Sequence, residues 1–405
     1  MENSIDRPVG VHGNAPAIFP RLHRSLTIAT IATMVAIAPA HAANDRDLRN
    51  FEATGVCVRC DLSGIDLSNR DLSGVTLRET DLSGSDLSGS NLSGAILSDT
   101  FLDETDFTDA ILTRAELGGA NGIQTIFRRA DLIEVFASDS EFALADFSEV
   151  NARRALFESA RLGGGRWAQA DATDASFRYS RMGRSNFREG EFVRTNFTGA
   201  KLSFVNGRYA NFQQAMFDAV EANDFIGEQA RMDSISAIEA IFTNARLSDA
   251  FLWEANLQRA DLTGARVSRA VLTGASLTSA IAIGTDFSDA NLSGASLNLA
   301  DASGANFEYA DLSGVVMTES ELVGSDFTGA DLTRAYMYSA NLTAARLWET
   351  TLGDADMTEV TLDGAIVRYV DFSAVTLLEA TFAEWDAIGA VGLPLELAVE
   401  PVAAE

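Results

Sequence analysis

Asp81-Leu82-Ser83-Gly84-Ser85-Asp86-Leu87-Ser88-Gly89-Ser90-Asn91-Leu92-Ser93-Gly94 sets one leucine every five residues. Each leucine follows Asp or Asn and precedes Ser-Gly. Followed outward in both directions, this register holds without a slip from Leu62 to Phe382. Of the 65 positions on the column, 55 are Leu, Phe, Met, Val or Trp, and the other ten are Ala or Gly. A period of five fits neither an α-helix, with 3.6 residues per turn, nor a simple strand, with two. Two residues before each column position the chain carries a small side chain, with four exceptions: Ile65, Arg70, Phe225 and Ile235. Each pentad therefore offers two inward-type and three outward-type positions.

Ala260-Asp261-Leu262-Thr263-Gly264, Ala290-Asn291-Leu292-Ser293-Gly294 and Ala330-Asp331-Leu332-Thr333-Arg334 state the pattern plainly. They resemble the pentapeptide-repeat family, A-(D/N)-L-x-x, and the resemblance covers residues 60–384. It implies an all-β fold: a right-handed quadrilateral parallel β-helix, a solenoid of about sixteen four-pentad coils in which residues twenty apart stack. At the strand spacing of ~4.8 Å such a rod would be roughly 77 Å long. The physics agrees. One coil cannot bury its own apolar edge, whereas stacked coils share a continuous core. Four corners per coil call for turn residues, hence the Gly, Ser, Asn and Asp. Proline, which would delete a hydrogen bond between coils, is absent between Pro39 and Pro394.

Four-fold stacking also makes sense of the bulky positions. One column reads Phe107, Phe127, Phe147, Trp167, Phe187 and then Gly207 and Gly227; another reads Phe157, Phe177, Phe197, Phe217. Ala152, Ala172 and Ala222 fall on other faces of the same coils. Bulk on one face is matched by absence on another, as close packing demands. The phenylalanine stacks read as core, not as a cofactor pocket. Gly163-Gly164-Gly165 lacks the Lys-Ser/Thr of a phosphate loop and reads as room for the Trp167 indole.

The ends differ from the middle. Arg21 and Arg24, the apolar run Leu26 to Ala38 and the sequence Ala40-His41-Ala42 read as a cleavable signal peptide over residues 1–42. The run is too short to span a bilayer. The expectation is a bacterial protein that is periplasmic or secreted. All three histidines (His12, His23, His41) lie in that leader, so chemistry needing an imidazole is excluded from the mature chain. A formal net charge of −28 favours solubility and disfavours nucleic acid and anionic membranes as partners. Residues 43–59 are expected to cap the first coil. Residues 385–405 lose the pattern at Pro394 and Pro401, and Leu393, Leu395 and Leu397 would serve a C-terminal lid or a homodimer contact through that end.

Cys57 and Cys60 are the only thiols. Haem attachment needs a following His and finds Asp61, and a four-Cys zinc site needs a second pair. A catalytic redox pair stays open, without a thioredoxin-like context to support it. The simpler expectation is an inward-pointing pair, disulfide-bonded in an oxidising compartment and pinning the first coil. Similar Cys-x-x-Cys-Asp-Leu starts in exported family members point the same way.

No catalytic, metal or cofactor motif stands out. Stacked pairs such as Asp61 with Asp81 and Asp66 with Asp86 could hold Ca²⁺, although hydrated surface Asp is the rule in the family that the chain resembles. One charge anomaly remains. Residues 151–210 hold eleven basic residues and five acidic ones. Twenty-residue stacking puts Arg161, Arg181 and Lys201, the sole lysine, in one column between Glu141 and Glu221, with Arg188 and Arg208 beside them and Arg184 nearby. Like charges so stacked repel unless something answers them. Lateral ion pairs would do so; so would an anionic polymer or an acidic protein surface, and Tyr179 and Tyr209 in the same belt suit a binding face. The functional expectation is an exported, non-enzymatic scaffold that contacts an unknown protein or anionic polymer through this belt. The alternative carried by the resemblance is a DNA-mimicking protein that acts on topoisomerases, against which stand the leader and the basic belt.

Overall fold

In the pentad around Leu262 every backbone N–H has a partner. The computed structural model, which describes residues 44–393, shows Asp261 donating back to the Ala240 carbonyl (2.9 Å), and Leu262 and Gly264 donating forward to Ile281 (2.7 Å) and Ile283 (2.9 Å). Ala265 closes a turn onto the Leu262 carbonyl at 2.8 Å. The fifth N–H, of Thr263, has no carbonyl within reach, and the Asp261 carboxylate accepts it at 2.9 Å. That is why the repeat asks for Asp or Asn before the apolar residue: a short acceptor there satisfies the one amide that the coil leaves over. The same bond recurs from Ser63 to Asp61 through Ser373 to Asp371. Where the residue two before does not accept this bond, a side chain from the preceding coil substitutes, as Asp103 does for Ile123, or Asn298 for Thr318, whose local position is Val316.

Bridges between coils are all parallel and twenty residues apart, from Val56↔Thr76 to Asp371↔Val391. Nearly all are single bridges. Among the described residues only β1 (Arg346–Trp348), β2 (Ile366–Arg368) and β3 (Asp386–Ile388) lengthen into a three-stranded parallel sheet, in the order β1-β2-β3. Nearly every turn carries a positive φ at its third residue, about where a type II turn needs it; Ala374 is an exception. Most of these residues are not glycine; Leu144, Tyr179, Arg184 and Phe204 have φ of 59, 58, 64 and 62°.

Inside, the apolar column is buried from Cys57 to Phe372. Phe107, Phe127, Phe147 and Trp167 stack with ring centroids 5.1, 5.0 and 4.0 Å apart. Phe157 and Phe177 stack beside them at 5.3 Å, and Phe157 meets Trp167 edge-on. The exceptional Phe225 is fully buried, and its ring occupies the space that side chains at Gly207 and Gly227 would need: a Cβ there would stand 2.8 Å from it in each case. The three glycines before Trp167 divide their work. A Cβ on Gly165 would press on the indole nitrogen at 3.0 Å, whereas one on Gly164 would meet Leu144 from the coil before, at 2.6 Å.

At the N-terminal end α1 (Asp45–Thr54) starts on an Asn44 cap and stops at Gly55 in the left-handed conformation. It buries Phe51 on the core. Asn44 donates to the Asp61 carbonyl (3.0 Å), and the Asp47 carboxylate accepts the Asp61 N–H (3.2 Å), so the helix answers both backbone groups of that first-coil residue. Arg70 departs from the small-residue column because it reaches Glu52 of α1, at 3.4 Å. Cys57 and Cys60 are joined by a disulfide, with Cys57 buried and Cys60 half-buried. At the other end, Leu377, Phe382, Trp385 and Leu393 are only partly covered. Residues 1–42, expected to be a leader, and the segment from Pro394 onward, with Leu395, Leu397 and Pro401, lie outside the described residues.

Candidate functional site

The basic belt resolves into two populations. Eight of its eleven basic residues are held in ion pairs. Arg161 pairs with Glu141 and Lys201 with Glu221, so both ends of the expected column are answered by the carboxylates that bracket it. Arg208 pairs with Glu228, and Arg188 with Glu189. Arg153 reaches Asp171 (2.5 Å), and Arg154 reaches Glu134 (2.8 Å). Arg194 grips Asp174 with two bonds of 2.6 and 2.7 Å. Arg166 joins Arg128 on Asp146, whose side chain is only 2% exposed.

Arg178, Arg181 and Arg184 form the second population: none makes an ion pair among the described residues. Arg181 is bridged to Arg161 on one side and Lys201 on the other, so both neighbours along its column are cations. Glu158, one coil before Arg178, accepts from the Ser176 hydroxyl instead (2.9 Å). Two of the three guanidiniums lie on aromatic rings: Arg178 over Tyr179 at 5.3 Å and Arg184 over Phe204 at 5.4 Å. Arg188 covers Tyr209 in the same way. These contacts set cations over half-exposed rings, with Arg184 exposed and Arg178 half-buried. Sequence reasoning had named Arg181 and Arg184; it missed Arg178 as a member of the patch and Phe204 as its support. The signal for Phe204 is present in the sequence, since it stands twenty residues beyond Arg184 at the corner position; that for Arg178 is the adjoining Tyr179.

Three carboxyls in and beside the belt, Asp146, Asp174 and Glu189, are held below their ordinary values by donors. Burial works to raise the Asp146 carboxyl, but donors on Arg166, Ser148 and Arg128 outweigh it and hold the group well below the ordinary range. Hydrogen bonds from Arg194 lower Asp174, and those from Arg188 lower Glu189. Outside the belt, turn bonds from Ser68 depress Asp66, and those from Ser73 depress Asp71. The stacked Asp61, Asp81, Asp66 and Asp86 spend an oxygen each on the turn amide two residues on. Among the described residues no group of three or more His, Cys, Asp or Glu could hold a metal ion. No described helix is long and apolar enough to cross a membrane.

Comparison with known proteins agrees with this geometry. The family model for pentapeptide repeats matches residues 60–121, 125–189 and 240–377, and the chain belongs to that family. The span between 189 and 240 that the model passes over contains Gly207, Phe225 and Gly227, where the core pattern is exchanged while the bridges continue. No curated protein matches. Among solved structures the chain is similar to HetL, a pentapeptide repeat protein involved in heterocyst differentiation regulation in the cyanobacterium Nostoc, with 24% identity over 59% of this chain and 90% of that one and a TM-score of 0.24. It is similar to QnrB1, a plasmid-mediated fluoroquinolone resistance protein, with 22% identity over 48% and 88% and a TM-score of 0.24. A pentapeptide repeat protein of the Arabidopsis thaliana thylakoid lumen is 28% identical over 33% and 68%, with a TM-score of 0.11.

Proposed function

We propose that this chain is an exported, non-enzymatic binding rod, wound as a right-handed quadrilateral of about sixteen coils, which docks an anionic polymer on the patch formed by Arg178, Arg181 and Arg184. One observation carries the reading: Arg181 stands between two cations with no carboxylate of its own, in a chain of net charge −28. A molecule that supplies acid to every other basic residue of the belt leaves these three arginines, within seven residues of one another in sequence, unanswered. Partner anions would remove a repulsion that is otherwise paid in the unbound state. The unbroken five-residue register supports the non-enzymatic part, because it leaves no inserted loop from which to build a cleft.

The test is binding of the purified protein to polygalacturonate, dextran sulfate, duplex DNA and phosphatidylglycerol vesicles at two salt concentrations, beside a variant with Arg178, Arg181 and Arg184 changed to Glu. Salt-sensitive binding to a polyanion, lost in the variant, is the expected result. Equal binding by both proteins, or none by either, would overturn the assignment. Export has its own readout: the mature N-terminus should be Ala43, found outside the cytoplasm.

A further inference from the structure

On a different column from the arginine patch, a shallow groove of about 490 Å³ runs beneath an exposed tryptophan, Trp253. Trp253 and its neighbour Phe251 are 46% and 45% exposed. Two large aromatics left open in the body of a charged solenoid cost solvation free energy that burial would recover. Of the other tryptophans, Trp167 is fully buried, and Trp348 and Trp385 stand near the C-terminal end.

Polar groups are set beside the indole at coil spacing. Asp233 and Gln213 occupy the same position one and two coils earlier. Gln213 donates to the Asp233 carboxylate at 2.9 Å, and Arg231 stands 3.7 Å from the same oxygen. The Gln213 backbone is itself fixed by Asn211 at 3.1 Å. Gln214 adds a second amide to the wall. Both guanidiniums of the groove have their own carboxylates, Arg231 with Asp233 and Arg194 with Asp174. The charges of the groove are therefore paired, and its wall carries both donors and acceptors in Gln213, Gln214, Asp233 and Ser234, which suits hydroxyl groups better than a charged polymer. An aromatic face flanked by fixed amide and carboxylate groups is the arrangement that accepts a ring with one apolar face and a polar edge.

We propose that this groove binds a neutral oligosaccharide, with a pyranose ring whose hydroxyls are all equatorial stacked on Trp253 and its hydroxyl edge bonded by Gln213, Gln214 and Asp233. The site stands independently of the arginine patch.

The experiment is calorimetric titration of the purified protein with cellohexaose, with maltohexaose and hexagalacturonate as comparators. Cellohexaose should bind in the millimolar range or tighter. Trp253→Ala should weaken it roughly tenfold or more, and Trp253→Phe should keep most of the affinity. Trp348→Ala and the triple arginine variant should bind as the unaltered protein does. Trp253 is exposed, so its variants should melt as the parent does, which thermal unfolding checks. Undiminished binding by Trp253→Ala, or no heat with either neutral hexamer, would overturn the proposal. So would tighter binding of hexagalacturonate, which would return the sugar to the arginines.

Discussion

A single amide decides the second letter of the repeat. The backbone of each coil answers four N–H groups out of five, and the Asp or Asn side chain takes the last, as Asp261 takes that of Thr263. Asp261→Asn keeps an acceptor there and Asp261→Ala does not. Hydrogen exchange at the Thr263 amide should therefore accelerate in the alanine variant and stay near parent rates in the asparagine variant, with a stability loss of about 1 kcal/mol for alanine alone. The sequence shows which residue types recur, but not this reason: the leftover amide becomes visible only once the direction of every other backbone bond is known. The left-handed corner was equally hidden. Gly, Asn and Asp announce it at some turns, whereas Arg184, Tyr179 and Phe204 adopt it against their preference, at roughly 1–2 kcal/mol each. The stacked neighbourhood, not local propensity, enforces that conformation.

At the scale of the coil and its corner, side chains lean onto the next coil, and glycine makes room where they are large. Tyr179 lies over Gly199, where an added Cβ would come within 2.6 Å of the ring, at a φ of 67°. Gly199→Ala should cost about 1–2 kcal/mol through strain and overlap together. Adding Tyr179→Ala should recover the overlap part and leave the strain, so a double-mutant cycle by thermal unfolding should give a non-zero coupling. No coupling would mean that the tyrosine swings aside at no cost. This lean also explains why the basic belt was read only in part. Pairs twenty apart, such as Arg161 with Glu141, follow from the period. Pairs eighteen apart, such as Arg153 with Asp171 and Arg128 with Asp146, are diagonals across a turn and depend on where the corner points each side chain. The column of Phe, Trp and Gly was legible because packing inside is set by volume alone, and Phe225 is the clearest case: an oddity in the sequence that fills two absences in the core.

For the molecule as a whole, acid is the natural stress. Asp66, Asp109, Asp174, Asp249, Glu134 and Glu228 are all held below their ordinary values by donors, and Asp146 is held lowest. A carboxyl whose folded value is depressed contributes stability above its unfolded value, near pH 4, and loses that contribution as pH falls through the folded value. The melting temperature should therefore drop steadily below about pH 4. Asp146→Asn should be less stable at neutral pH by about 1.5–3 kcal/mol, and its melting temperature should fall less steeply in acid; parallel curves for the two proteins would show that the buried carboxylate contributes nothing.

One corner of the solenoid reads Arg114, Glu134, Arg154, Asp174, Arg194 at successive coils, with ion pairs from Arg114 and Arg154 to Glu134 and from Arg194 to Asp174. Sign alternates with every coil, so this edge keeps a parity. Excising one coil, residues 125–144, preserves every apolar register yet brings Arg114 against Arg154. Excising two, residues 125–164, brings it against Asp174. Along this stretch the chain can change length cheaply only in even steps, and a gain or loss of a single coil is an error that the charges themselves detect.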